Sequence, residues 1–182
     1  MPEANFNQRS AAAATILIAF LALSPVACKR HRHEVALTEE EAPLSTIVHS
    51  ADARAASQLI NGFYPVEHNA WRWTAGKFSV LLRLPRNAAS KGAILELRFT
   101  IPEVALPQTK SLTLAASLNG AALTPETYTK AGEFTYRREI PASQLEGDSA
   151  RVDFAVDKTI PPNDSDKREL GVIVTEVGFE PK

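Results

Sequence analysis

The sequence predicts an all-β fold, an antiparallel β-sandwich of two sheets that resembles a jelly roll. Three observations predict it. Several segments alternate apolar and polar residues with a period of two, which is typical of half-buried strands. Turns marked by Pro or Gly separate these segments. No helical segments alternate with the strands, so the parallel sheets of βαβ proteins are not expected.

The first 28 residues of the 182-residue chain have the layout of a bacterial export signal. Polar Met1–Ser10 precedes the apolar run Ala11–Leu23, and small residues come just before Cys28. The apolar run would span only about 20 Å as a helix, which is too short for a hydrocarbon core of about 30 Å. We therefore predict a signal peptide over residues 1–27.

Cys28 directly follows Ala27 and resembles the acylated cysteine in the lipobox of bacterial lipoproteins, although Pro25 stands where that pattern usually has Leu. More than one acyl chain on this cysteine would hold the protein firmly at a membrane. The sequence thus predicts an exported, membrane-anchored lipoprotein of the bacterial cell envelope. The alternatives are an ordinary signal peptide cut nearby and an uncleaved anchor.

Residues 28–45 predict a flexible tether, because they begin basic, turn acidic and show no sustained period. His31 and His33 lie in this tether and could bind a metal, but no further ligands stand in register with them. The formal net charge of −1 gives no electrostatic reason to expect nucleic acid as a partner. Residues 46–182 are then predicted to form one β-sandwich domain.

The domain is expected to begin with one short helix over Ser50–Ile60. This segment is rich in Ala and lacks Gly and Pro. Ser50 or Asp52 could cap its start, and Gly62 lies where a helix often stops.

Strands follow Gly62. Six segments place apolar residues on one face and polar residues on the other: Lys77–Leu84, Ala93–Ile101, Ser111–Leu118, Glu133–Ile140, Arg151–Lys158 and Leu170–Phe179. Asn119-Gly120 directly after the third segment predicts a tight hairpin turn. In the last segment the apolar positions shift from even to odd after Val174, which predicts a bulge.

The stretch Gly62–Thr74 is the first candidate site, because it holds both tryptophans of the chain. Aromatic rings stack on the C–H face of a sugar, and polar side chains hydrogen-bond its hydroxyls. In a strand, Trp71 and Trp73 share one face and Arg72 takes the other. The alternative is that one or both tryptophans fill the sandwich core and that Arg72 pairs with Glu67.

The charged stretch Asp164–Gly171 is the second candidate, at the entrance to the last strand. Asp164, Asp166 and Glu169 could bind calcium through their oxygens, but their spacing is not that of an EF-hand loop. A structural ion pair of Arg168 is the favoured interpretation.

Together the motifs G-F-Y-x-x-E-x-x-x-W-R-W-T and D-x-R-E-L-G-V resemble an uncharacterised bacterial β-sandwich module. It occurs beside glycosyltransferase and methyltransferase domains that act on surface polysaccharides, and in stand-alone envelope lipoproteins. The resemblance covers roughly residues 51–179 and implies the fold and a glycan context. The positions that match its motifs are Gly62, Tyr64, Glu67, Arg72, Trp73, Asp166, Arg168 and Gly171.

The sequence favours a non-catalytic protein, since no nucleophile-elbow pattern such as G-x-S-x-G occurs, and no metal or cofactor is expected. The alternative is an enzyme of unknown class, in which Glu67 and Asp166 could form the carboxylate pair of a glycosidase. A polysaccharide is the predicted ligand. Its predicted binding residues are Tyr64, Glu67, Trp71, Arg72, Trp73, Asp166 and Arg168. A structural lipoprotein that binds an envelope protein is the alternative. Because the first and last strands of a sandwich can be neighbours, we expect the two motifs to meet in space.

Overall fold

The computed structural model describes residues 43–105 and 110–182. The predicted signal peptide, Cys28 and most of the tether lie outside the described residues. The described part falls within one compact unit, Glu40–Lys182. Its nine strands are β1 (Ile47–His49), β2 (Leu59–Glu67), β3 (Trp71–Arg83), β4 (Ala93–Ile101), β5 (Leu112–Leu118), β6 (Ala121–Tyr128), β7 (Gly132–Ile140), β8 (Ser149–Val156) and β9 (Ile173–Pro181).

All strand pairs are antiparallel, and they form two layers that share β3. Sheet 1 has the order β2-β3-β8-β5-β6. Sheet 2 has the order β3-β9-β4-β7, and β1 also pairs with β9. The division lies within β3, because Lys77–Arg83 pairs with β8 whereas Arg72 and Trp73 pair with β9. After β3 the chain crosses between the layers at every connection except the β5–β6 hairpin.

The core lies between the two sheets. The ring of Phe154 on β8 lies 6.4 Å from that of Tyr136 on β7, and the ring of Phe99 on β4 lies 5.2 Å from that of Tyr128 on β6. These strands are not neighbours within a sheet, so the contacts cross the interior. All four residues are buried. The predicted two-sheet antiparallel sandwich is therefore confirmed.

The hairpin and the bulge predicted from the sequence are both present. Asn119 and Gly120 have φ angles of 47° and 87° and connect β5 directly to β6. On β9, Val174 faces Phe99 while Glu176 faces the preceding residue of β4, so one extra residue lies between them. This is the shift in period that the apolar pattern indicates.

Three strands were not among the six predicted segments: β1, β2 and β6. Strand β6 lies at the edge of sheet 1 and is mostly exposed, so its sequence carries little apolar alternation. It also contains Pro125, which an edge strand tolerates.

The predicted helix over Ser50–Ile60 is present in a shorter form, as a 3-10 helix at Ala53–Gln58. The side chain of Asp52 caps it by accepting a hydrogen bond from the backbone N–H of Arg54 at 2.9 Å. The expected stop at Gly62 is wrong, because β2 already begins at Leu59. A short helix, α1 (Ala88–Lys91), connects β3 to β4.

Candidate functional site

The β2–β3 hairpin places the two tryptophans on the outer face of sheet 2. Arg72 pairs with Val174 of β9, which is fully buried, so Arg72 lies on the inner face. Trp71 and Trp73 therefore point outward. Glu67 pairs with Trp71 across the hairpin and shares this outer face.

Both tryptophan side chains are half-buried and neither belongs to the core. The imidazole ring of His68 packs against Trp71 with 4.8 Å between the ring centroids. The indole N–H of Trp71 is shielded from solvent and has no hydrogen-bond partner among the described residues. The alternative in which the tryptophans fill the sandwich core is therefore not the one that the fold adopts.

His68 is held over Trp71 by the hairpin turn. His68 and Asn69 have φ angles of 51° and 54°, a left-handed conformation that non-glycine residues seldom adopt. The backbone N–H of Ala70 donates to the carbonyl of Glu67 at 3.1 Å and closes the turn. His68 is not among the binding residues predicted from the sequence, since His-Asn is a weak turn signal.

The two motifs meet at Arg168. Its guanidinium donates to Glu67 Oε1 at 2.9 Å and to both carboxylate oxygens of Asp166, the shorter contact being 2.7 Å. It also lies 5.1 Å from the ring centroid of Tyr64, within cation–π range. The hydroxyl of Tyr64 donates to the carbonyl of Glu169 at 2.8 Å. The expectation that the motifs meet in space is confirmed.

Both carboxylates are thus held by one cation. The hydrogen bonds from the Arg168 side chain and backbone lower the pKa of Asp166 from its ordinary value of 3.8 to about 2. The same contacts with Asp166 and Glu67 raise the pKa of Arg168. The favoured ion pair of Arg168 is therefore present.

The calcium alternative finds no support in these contacts. Asp166 is occupied by Arg168, and Asp164 lies 3.4 Å from the ammonium of Lys167. Within residues 43–105 and 110–182, no group of three or more acidic, His or Cys side chains could hold a metal ion.

The alternative pairing of Arg72 with Glu67 is wrong. Strand alternation puts Arg72 on the opposite face, where its side chain donates to the carbonyl of Ser50 at 2.6 Å and to that of Tyr64 at 3.0 Å. The first contact connects the hairpin to the end of β1, and the second lies within the hairpin. A hydrogen bond from Arg72 to a ligand stays a prediction.

Two glycines let the loop that carries Arg168 lie close to β3. A Cβ atom on Gly171 would come within 2.6 Å of the carbonyl of Ala75, and one on Gly76 within 2.9 Å of the Glu169 carboxylate. Backbone hydrogen bonds from Gly171 to Thr74 and from Thr74 to Val172 hold this loop against β3. Tertiary contacts therefore hold the second motif beside the first.

No helix in the described part of the chain is long and apolar enough to cross a membrane.

No family model matches the chain, and no curated protein matches it by sequence. Among the solved structures that are similar to it at low identity are two carbohydrate-binding modules and an esterase. One is the carbohydrate-binding module CBM36 in complex with calcium and xylotriose, with 11% identity, a TM-score of 0.42, and coverage of 74% of this chain and 99% of that one. A family 35 carbohydrate-binding module from an environmental isolate has 12% identity and a TM-score of 0.40, over 79% and 90%.

The third is the acetyl xylan esterase Est2A from the rumen bacterium Butyrivibrio proteoclasticus. It has 11% identity and a TM-score of 0.43 over 77% of this chain. The match spans only 34% of the length of the esterase. Likenesses at this level of identity and TM-score assign neither a ligand nor an activity to the chain.

Proposed function

We propose that this chain is a non-catalytic, lipid-anchored protein of the bacterial envelope that binds carbohydrate on the outer face of sheet 2. The observation that carries the proposal is the placement of Trp71 and Trp73. They lie two residues apart on one strand, half-buried and facing outward, beside the Glu67–Arg168–Asp166 cluster.

The chemistry of this arrangement suits a sugar. Two aromatic rings on one face offer apolar surface to the C–H face of a pyranose. The carboxylates of Glu67 and Asp166 can accept hydrogen bonds from hydroxyls, while the guanidinium of Arg168 can donate to them. The mutual contacts of these side chains fix their positions before a ligand arrives, which lowers the entropy cost of binding.

The path of the chain is consistent with an anchor that leaves this site accessible to a ligand. The backbone N–H of Arg83, at the end of β3, donates to the carbonyl of Ser45 at 3.1 Å. Trp71 lies at the other end of this 13-residue strand. A chain anchored ahead of Ser45 thus enters the domain at the opposite end of β3 from the tryptophans.

Tryptophan fluorescence tests the proposal directly, because Trp71 and Trp73 are the two tryptophans of the sequence. The full chain in detergent is titrated with bacterial envelope polysaccharides and then with iodide. We expect a shift in emission on binding and protection of the rings from quenching. Trp71→Ala and Trp73→Ala should each weaken retention on the polysaccharide by about thirtyfold, as loss of a central aromatic contact costs about 2 kcal/mol.

Leu81→Ala is the matched control. Leu81 is also a half-buried apolar residue on β3, but it pairs with exposed Arg151 on the outer face of sheet 1. Its loss should leave retention unchanged. Unchanged retention in both tryptophan variants would contradict the proposal and favour the structural or protein-binding alternative, in which the Arg168 contacts serve only to hold the hairpin.

A further inference from the structure

The outer face of sheet 2 continues past the tryptophans across three more strands. Trp73 pairs with Ile173 of β9, Ile173 pairs with Thr100 of β4, and Thr100 pairs with Glu133 of β7. Directly opposed residues of antiparallel strands point to the same face, so these four side chains form one row. At the usual spacing of strands the row is about 14 Å long.

A depression of about 540 Å³ lies over the far half of this row. Its lining includes Thr100 and Thr135, whose hydroxyls can both donate and accept hydrogen bonds. It also includes Thr175, whose hydroxyl donates to the carbonyl of Arg98 at 3.3 Å and can accept a hydrogen bond from a ligand. Arg98 and Glu133 also border it. The depression therefore offers several polar contacts. A single sugar ring bound at the tryptophans would not reach them.

A ladder of polar contacts runs beside the row and pairs its two arginines with carboxylates. It connects His49 to Glu176 at 3.0 Å, Glu176 to Arg98 at 3.3 Å, Arg98 to Glu96 at 3.9 Å and Glu96 to Arg137 at 2.7 Å. The ladder crosses β1, β9, β4 and β7 in turn. Each of its arginines already has a carboxylate partner.

The charge balance around the row is negative even if His49, which contacts Glu176, is counted as a cation. Three arginines are opposed by five carboxylates, namely Arg98, Arg137 and Arg168 against Glu67, Glu96, Glu133, Asp166 and Glu176. A polyanionic glycan would meet net repulsion here and would find no unpaired arginine among these residues. The face suits a ligand that is rich in hydroxyls and carries no charge.

We infer that the ligand is an uncharged glycan chain of several sugars, which lies across the strands from Trp73 on β3 to Glu133 on β7. The inference rests on the proposed function, since the tryptophans provide its first sugar subsite. The threonines of the depression and Glu133 hydrogen-bond the sugars beyond it.

Oligosaccharide length and charge test the inference. The full chain is titrated, by tryptophan fluorescence and calorimetry, with cello-, xylo- and chito-oligosaccharides of one to six sugars and with oligogalacturonates of the same lengths. Within a neutral series that binds, affinity should rise about tenfold or more from one sugar to four, as each added hydrogen bond contributes about 1 kcal/mol. Oligogalacturonates should bind at least about tenfold more weakly than neutral chains of equal length.

The double variant Glu133→Ala, Thr135→Ala removes contacts at the far end of the row only. It should abolish the gain with length while binding of the single sugar stays as in the unmodified chain. Thr113→Ala, on the outer face of sheet 1, is the matched control and should preserve the gain.

The outcomes separate the two proposals. If single sugars bind as tightly as tetrasaccharides, or if oligogalacturonates bind best, the inference is overturned while carbohydrate binding stands. If no series perturbs the tryptophans or produces heat, carbohydrate binding fails and the inference fails with it.

Discussion

The two hairpins of the molecule, β5–β6 and β2–β3, are built in different ways. The first turns at Asn119-Gly120, has one register shift, and leaves open space around Gly120. The second turns at His68-Asn69 and has three register shifts. Both turns use two successive residues with positive φ, but only the first includes a glycine, in the favoured Asn-Gly pair.

This difference shows where the geometry of the candidate site comes from. The β5–β6 hairpin follows from its own residues. The β2–β3 hairpin is held by residues far along the chain, since Arg168 bonds Glu67 across 101 positions and Glu169 bonds Tyr64 across 105. Bulges and left-handed residues other than glycine persist where surrounding contacts fix them, and they often lie at functional sites.

The largest expected difference between the hairpins concerns their glycines. Gly62 and Gly120 have similar φ angles of 75° and 87°. A Cβ on Gly62 would lie 2.1 Å from the carbonyl of Lys77, whereas one on Gly120 would meet nothing within 4 Å. Gly62→Ala should lower the free energy of unfolding by about 3 kcal/mol or more, and Gly120→Ala by about 1 kcal/mol. Urea denaturation measures both; equal losses would contradict this account.

A smaller difference is expected in the coupling free energies of two side-chain pairs, one at each hairpin. A double-mutant cycle with Glu67→Gln and Arg168→Met should give a coupling free energy of about 1 kcal/mol, because this charged pair is partly buried. The hydroxyls of Thr113 and Thr127, 3.0 Å apart on β5 and β6, are exposed neighbours. Their cycle, with Val at both positions, should give about 0.3 kcal/mol. A coupling in the first cycle no larger than in the second would show that tertiary ion pairs do not hold the site.

The smallest expected effect is a pH dependence confined to acid. The pKa of Asp166 is about 2 in the folded chain, below its ordinary value of 3.8, because Arg168 stabilises the carboxylate. A depressed pKa contributes stability that is complete above about pH 4 and is lost as the pH falls toward 2. Asp166→Asn should therefore remove part of the decline in unfolding free energy between pH 4 and pH 2. Urea denaturation at each pH measures this decline. The same decline of unfolding free energy with pH in both proteins would contradict the pairing of Asp166 with Arg168.

The elements that were predicted correctly are those whose structure is determined by neighbouring residues. Period-two alternation predicted β4 with its observed bounds, Ala93–Ile101, because one face of the strand is buried and the other exposed. It failed for β6, whose edge position removes that contrast. It also extended the helix to Ile60, since an Ala-rich segment carries no signal for the β2 pairing that ends the helix at Gln58.

The site was predicted in part for the same reason. Alternation placed Trp71 and Trp73 on one face and Arg72 on the other, and the register confirms this. It could not identify the partner of Glu67, because Arg168 comes from a distant loop. The row from Trp73 to Glu133 was not predicted, since it depends on which strands are neighbours in sheet 2.

By itself the sequence determined the all-β class, the Asn119-Gly120 turn and the bulge after Val174, because these depend on neighbouring residues. The leader and Cys28 likewise predict an anchored envelope protein from local pattern alone. Only the tertiary structure decided that both tryptophans face outward, that Arg168 joins the two motifs, and that β9 and β4 extend the face beyond them. The physical reason is that strand order and loop packing depend on contacts between residues up to about a hundred positions apart, for which a local pattern has no signal.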